Sequence, residues 1–278
     1  MPVGIPILMY HSIADDGPAG MARLRVAPGD FAEQLDWLAG AGYTAVTVSQ
    51  LVTAFAGATE LPDRPVALTF DDGFADFHER ALPMLEERGL VATLYVTTGY
   101  LRGDGPGGAR PAARPDWPPT MTWRQVAQLP ARGIEVGAHT HTHPELDLAS
   151  PARVEAELTT SKRLLEDCAG VPVASLAYPY GYNTPEVRRL AGDVGFSSAC
   201  AVKHAMTSGN DDPFQLARVE MTSASTVSGL AAWLDGRLRT APCPDRLRSR
   251  GWAAVRRVRH RMRALDSSTG TDGGAGGS

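Results

Sequence analysis

The sequence predicts an α/β protein in which parallel strands form a sheet or barrel and helices pack outside it. Three observations carry that expectation. Short apolar runs alternate with segments of helical periodicity over most of the chain, and several of those runs stop abruptly at Asp or His. The 278 residues are enough for one large α/β unit or for two smaller domains. Hydrophobic residues at 43% and charged residues at 21% match a globular chain, which excludes a disordered, collagen-like or coiled-coil protein. No apolar run approaches the roughly 20 residues of a membrane span.

Ile7-Leu8-Met9-Tyr10 reads as a buried strand that delivers His11 and Ser12 at its end. Phe31, Leu35 and Leu38 recur at helical spacing before Gly42, which predicts a helix over 31–41. Residues 43–47 read as a strand and 51–55 as a short helix. The strand 65–70 runs into Asp71-Asp72-Gly73, and a helix over 77–88, stopped at Gly89, leads to the strand 92–96. Residues 102–119, rich in Gly, Pro, Ala and Arg, read as an insertion-like loop with little means of forming a core. A helix over 123–131, a strand over 134–137 and a long helix over 151–168 follow, then a strand from 176 entering a turn by 181, a helix over 184–194 and a strand over 198–202.

The net charge of −4 hides an asymmetry: residues 237–263 hold ten Arg against the single acid Asp245, so an acidic body carries a basic tail. The expected organisation is a catalytic body over 1–236, a basic amphipathic helix over 237–265 and a disordered Gly/Ser-rich tail over 266–278. Cys168, Cys200 and Cys243 have no CxxC spacing, which argues against a disulfide framework or a thiolate zinc site and fits a reducing compartment. The N-terminus lacks the basic and apolar regions of a secretory signal. A cytoplasmic protein, associated with the inner membrane surface through its tail, is the expectation.

Parallel α/β folds place chemistry at the carboxyl ends of their strands, so the polar residues closing each run should converge: His11, Asp71, Asp72, His139, His141, His143 and the Tyr178-Pro179-Tyr180 turn. Two adjacent carboxylates at a buried strand end repel and lose hydration unless a cation or a proton neutralises one of them. One carboxylate with two imidazoles is a common ligand set for a divalent cation with open positions, and His139 and His143 share one side whether the segment is extended or helical. A solvated His-rich loop is the alternative for the histidines taken alone.

Thr69-Phe70-Asp71-Asp72-Gly73 and His139-Thr140-His141-Thr142-His143, with Trp123, Tyr178-Pro179-Tyr180-Gly181 and Asp212-Pro213-Phe214, resemble the ordered motifs of the polysaccharide deacetylase (NodB-homology) carbohydrate esterases over roughly residues 5–220. The resemblance implies a distorted (β/α) barrel of about seven strands and metal-dependent removal of N-acetyl groups from an amino sugar. It implies Asp72, His139 and His143 as ligands of a divalent metal, zinc first, Asp71 as general base, and the amide of Tyr180 as an oxyanion donor. Two departures stand out. Ala177 occupies the position where the family has an Arg pairing with the catalytic Asp, and Arg218 is the candidate to replace it, with an exposed ion pair or a substrate contact as alternatives. The late histidine that supplies the acid is missing, and His11, at the end of an apolar strand as in the permuted poly-N-acetylglucosamine deacetylase branch, is its expected substitute, with His204 as rival.

Trp123 and Tyr178 are candidates to stack on a sugar ring, with core packing as the alternative. Asp76 is read as a partner of a ligand histidine or as a helix cap. Trp252, Val255, Val258, Met262 and Leu265 make one apolar face of a basic helix, suited to an anionic membrane surface or to docking on the acidic body; no nucleic-acid module is present. Hydrolysis of another, cyclic amide and non-catalytic glycan binding are the competing functions.

Overall fold

The computed structural model describes residues 4–108, 112, 114 and 116–237. The strands are β1 (Ile7–Tyr10), β2 (Ser12–Ile13), β3 (Arg25–Val26), β4 (Thr44–Val46), β5 (Pro65–Phe70), β6 (Ala92–Val96), β7 (Ile134–Ala138), β8 (Ser175–Ala177), β9 (Ser198–Val202) and β10 (Leu216–Glu220). The helices are α1 (Pro28–Gly40), α2 (Val48–Phe55), α3 (Leu82–Glu87), α4 (Trp123–Gln128), α5 (Pro151–Ala169), α6 (Pro185–Asp193) and α7 (Val227–Leu234). Seven strands close a parallel barrel: β1 pairs with β10, the order runs β10-β9-β8-β7-β6-β5, and β5 returns to β1. Strand β4 lies outside this ring and pairs with the first half of β5, while β2 and β3 form a separate two-stranded sheet. The fold is a distorted (β/α) barrel, and the first strand is inserted between the last one and β5, where a strand moved across the chain termini must sit.

The two-residue period of the strands sorts their side chains into two cores. Leu8, Tyr10, Val66, Leu68, Phe70, Leu94, Val136, Leu176 and Val219 pack outward against the helices. Ile7, Ala67, Tyr95, Ala177, Cys200 and Leu216 share the other, smaller cluster inside the ring. Continuing that inner series past the strand ends arrives at His11 on β1, Asp71 on β5 and His139 on β7, and within β10 at Arg218. The alternation that builds the barrel therefore aims these four side chains at one end of its interior.

Several boundaries depart from the sequence reading for local reasons. The helix expected over 77–88 opens with a π turn, Phe77–Ala81, before α3. The one over 123–131 stops at Gln128, because Pro130 has no N–H to continue the ladder, and a 3-10 turn completes it. Strand β10 and helix α7 were not legible. The loop 102–119 is not detached from the core: the Arg102 N–H donates to the Met121 carbonyl, Thr120 bridges to Phe74, and the Trp117 ring lies 5.4 Å from that of Phe74 and 5.2 Å from that of Tyr100. No helix among the described residues is long and apolar enough to cross a membrane. The basic helix expected over 237–265, its membrane contact and the tail over 266–278 lie outside the described residues, Arg237 apart.

Candidate active site

Asp71 and Asp72 occupy the turn that leaves β5, and Asp72 takes a left-handed backbone (φ 73°) followed by Gly73 at φ 76°. Asp tolerates that conformation better than most residues, and a side chain at position 73 would be strained there and would press on Val96 at 3.2 Å. This turn points successive carboxylates to different partners. Asp71 continues the inner face of β5 and meets Arg218: Nη1 donates to Oδ1 at 2.6 Å and Nη2 to Oδ2 at 2.7 Å, with both side chains buried. The guanidinium also reaches Thr69 Oγ1 at 3.3 Å and lies 5.4 Å from the centroid of the Tyr95 ring. Burial by itself would raise the Asp71 carboxyl, but the charge of Arg218, then His139 and the paired hydrogen bonds, outweigh it and hold it down to about 2.

Asp72 turns toward the histidines. Its Oδ1 lies 3.5 Å from His139 Nε2 and 3.4 Å from His143 Nε2, and the ligand atoms of these three residues all lie within 4.8 Å of one another. His139 faces the Ala177 carbonyl with Nδ1 at 2.8 Å, so that nitrogen carries the proton and the lone pair is at Nε2. Burial lowers the His139 imidazole to about 4 and lowers His143 well below the ordinary value, so both rings are neutral; burial and the neighbouring Asp71 raise Asp72 well above it. Asp72 Oδ1 is buried and has no hydrogen-bond partner. A carboxylate oxygen facing two imidazole nitrogens is an arrangement of acceptors that a divalent cation satisfies, and the donor set of one oxygen and two nitrogens suits zinc or a similar transition metal. The residues fit such an ion.

The rest of the rim is built from aromatic and polar groups. His143 (φ 57°) packs edge-on against Tyr180 at 4.7 Å and against Trp117 at 5.1 Å between centroids. Tyr180 itself has a left-handed backbone (φ 59°) and is 51% exposed, the most open large apolar side chain of the described residues. His11 follows β1, and Asp71, His139 and His143 all feel its charge; burial pushes its pKa below the ordinary imidazole value while Asp71 and Glu220 oppose that shift. The His204 N–H donates to the Arg218 carbonyl at 2.9 Å. His141 is half-buried and hydrogen-bonds through Nδ1 to Thr98 Oγ1 at 2.9 Å. Asp76 caps no helix and touches neither ligand histidine through any hydrogen bond; it accepts from Ser12 Oγ at 2.5 Å.

Three residues need correction. Trp123 is 4% exposed in the outer core, and the indole abuts Gly105 closely enough that a Cβ there would sit 2.5 Å from it, so it has no open face for a sugar. Tyr178 is fully buried and donates its hydroxyl to the Phe214 carbonyl at 3.1 Å. Arg218 is neither at the surface nor open to a substrate; its charge is spent on Asp71. Beside Tyr180, the aromatic residue that reaches the site is Trp117, carried by a loop whose composition signals only turns.

A family model for polysaccharide deacetylases matches residues 58–199, half of the sequence. The chain belongs to the polysaccharide deacetylase family. This deacetylase-family chain is 25% identical to the YxkH protein of Bacillus subtilis strain 168 over 237 residues, covering 84% of itself and 77% of that protein. Its fold matches the Streptococcus pyogenes deacetylase PplD, solved in complex with acetate, with a TM-score of 0.73 and 27% identity across 83% of this chain and 98% of that one. It is also 34% identical over 83 residues to the poly-beta-1,6-N-acetyl-D-glucosamine N-deacetylase of Escherichia coli K12, a match that spans 30% of this chain and 12% of that longer protein.

Proposed function

We propose that this deacetylase-family protein is a metal-dependent hydrolase that removes N-acetyl groups from an amino sugar within a glycan or glycoconjugate. The observation that carries the reading is the convergence of Asp72 Oδ1, His139 Nε2 and His143 Nε2 within 4.8 Å of one another, beside an Asp71 that stays ionised. Asp72, His139 and His143 would hold a divalent cation, zinc by the donor set. Such a cation would supply polarisation of the acetyl carbonyl and a more acidic water. Asp71 takes the proton from the attacking water, and Arg218 fixes both of its oxygens so that the free lone pairs face the site. The water oxygen bonds to the acetyl carbon, and the Tyr180 N–H, in the left-handed turn beside His143, donates to the developing oxyanion. As the C–N bond breaks, His11 gives a proton to the leaving amine, and acetate and the free amino sugar result. The exposed Tyr180 ring and the partly buried Trp117 ring flank the entrance as apolar surfaces for the sugar.

The test combines metal analysis of the purified protein with acetate release from β-1,4- and β-1,6-linked N-acetylglucosamine oligomers. One equivalent of metal per chain with acetate release that chelation abolishes is the expected result. No metal points to a glycan-binding domain and ends the proposal; stoichiometric metal without acetate from any N-acetylated sugar redirects it to another amide.

A further inference from the structure

The ligand His143 does not sit on a strand. It ends a tight turn after β7 in which Thr140 (φ 67°) and His143 (φ 57°) both adopt the left-handed conformation that side chains resist. A turn with two such residues reverts to ordinary backbone unless hydrogen bonds over-determine it; the His143 N–H donates to Thr140 Oγ1 at 3.0 Å, and three further bonds converge on one side chain of α5. Glu157 is 3% exposed. Its Oε2 accepts the His141 N–H at 2.8 Å and the Thr142 N–H at 2.7 Å, and its Oε1 accepts the Thr142 hydroxyl at 2.6 Å. Arg153, one helical turn earlier and 56% exposed, donates to Oε1 at 2.6 Å. The opposite side of the turn is anchored to the 98–100 segment: the Gly99 N–H donates to the His141 carbonyl at 2.7 Å, and the Tyr100 hydroxyl to that of Thr142 at 2.9 Å. Gly99 permits this approach, since a Cβ there would lie 2.5 Å from the His141 oxygen.

We infer that Glu157, which touches no ligand atom, is the positioning residue of the metal site: its carboxylate gathers two successive amides and a hydroxyl, locks the turn, and thereby brings the His143 imidazole to Asp72 and His139. Successive N–H groups converging on one anion form a concave backbone nest, and here the anion is supplied by the protein itself. The dependence of metal affinity on this carboxylate rests on the metal reading above; the order of the turn does not.

Two readouts separate the two. In metal-free protein, amide hydrogen exchange at His141 and Thr142 is expected to quicken at least tenfold in Glu157→Gln, which keeps the volume but turns one oxygen into a donor opposing Arg153; unchanged exchange overturns the inference whether or not the protein binds metal. In chelator-competition titrations with zinc, Glu157→Ala and Glu157→Gln are expected to raise Kd about ten- to a hundredfold, the range seen when partners of metal ligands are removed. Activity should recover at saturating zinc, because all three ligands remain. Glu166→Ala is the control: on the same helix it removes bonds to Lys162 Nζ (2.8 Å) and the Val173 N–H (3.0 Å) and should leave the zinc Kd within twofold. Equal loosening by Glu166→Ala, or wild-type Kd in both Glu157 variants, refutes the positioning role. Should Glu157→Ala not fold, Glu157→Gln carries both measurements. Faster exchange in a protein whose wild type binds no zinc would sustain the turn argument and end the metal reading.

Discussion

Replacing Arg218 with Met should unfold the protein earlier and shift its acid limb. The guanidinium is fully buried and makes two charge-assisted hydrogen bonds to Asp71 at 2.6 and 2.7 Å. Removing one partner of such a pair leaves a buried, uncompensated charge and costs about 3–5 kcal/mol. At about 2–4 °C per kcal/mol for a domain of this size, the melting temperature of Arg218→Met should fall by about 6–20 °C. Arg218→Lys keeps the charge but loses the planar fork, so a smaller loss of about 1.5–3 kcal/mol follows from forfeiting one charge-assisted bond. The sign of the pH effect comes from the same contact. A carboxyl held down to about 2 contributes stability that is present above its unfolded value and is lost as pH falls toward the folded one. Without Arg218, burial pushes Asp71 upward, so the acid limb of kcat/KM should move to higher pH in the Met variant. Circular-dichroism melts and a pH–rate profile measure the two effects. A melting temperature within about 2 °C of wild type together with an unmoved acid limb would refute the assignment of Arg218 as the fixed partner of the base.

His11→Ala should leave the metal content intact while lowering kcat on an N-acetylated sugar by about 10²–10⁴-fold, with an activated aryl acetate, whose leaving group needs no proton, far less affected; full turnover on the sugar would transfer the acid role to His204 or another group. In metal-stripped protein the raised Asp72 carboxyl makes the folded state bind the extra proton, so stability declines as pH rises from the unfolded carboxylate value through the folded one. A bound cation relieves that repulsion, and the gap in melting temperature between zinc-loaded and stripped protein should widen from pH 5 to pH 8. A gap that is flat over this range contradicts the placement of Asp72 as the neutralised ligand.

Asp71, Asp72, His139 and His143 were legible because their signal is local: an apolar strand that must be buried, ended by groups that burial punishes, specifies both an element and its functional end. The position of His11 at the end of an apolar strand was legible for the same reason. Strand β10 was not legible, because Arg218 interrupts its apolar run, and a guanidinium inside a barrel is stable only when its carboxylate partner arrives from a strand 147 residues away in sequence. The aromatic assignments failed for a related reason. Trp123, Tyr178 and Trp117 offer the same kind of surface to any neighbour, and only the packing of β8, α4 and the loop after Tyr100 decides which ring is covered and which is left beside His143.

The sequence by itself determined the class of fold, the end of the barrel where the candidate site lies and the acidic and imidazole groups proposed to act there, since hydrophobic period and charge desolvation act over a few residues. Only the tertiary structure decided how those groups are held: the pairing of Arg218 with Asp71, the carboxylate of Glu157 under the His143 turn and the rim formed by Trp117 and Tyr180. Each of these is a contact between segments far apart in the chain, and its free energy exists only once the barrel has closed and removed water from between them.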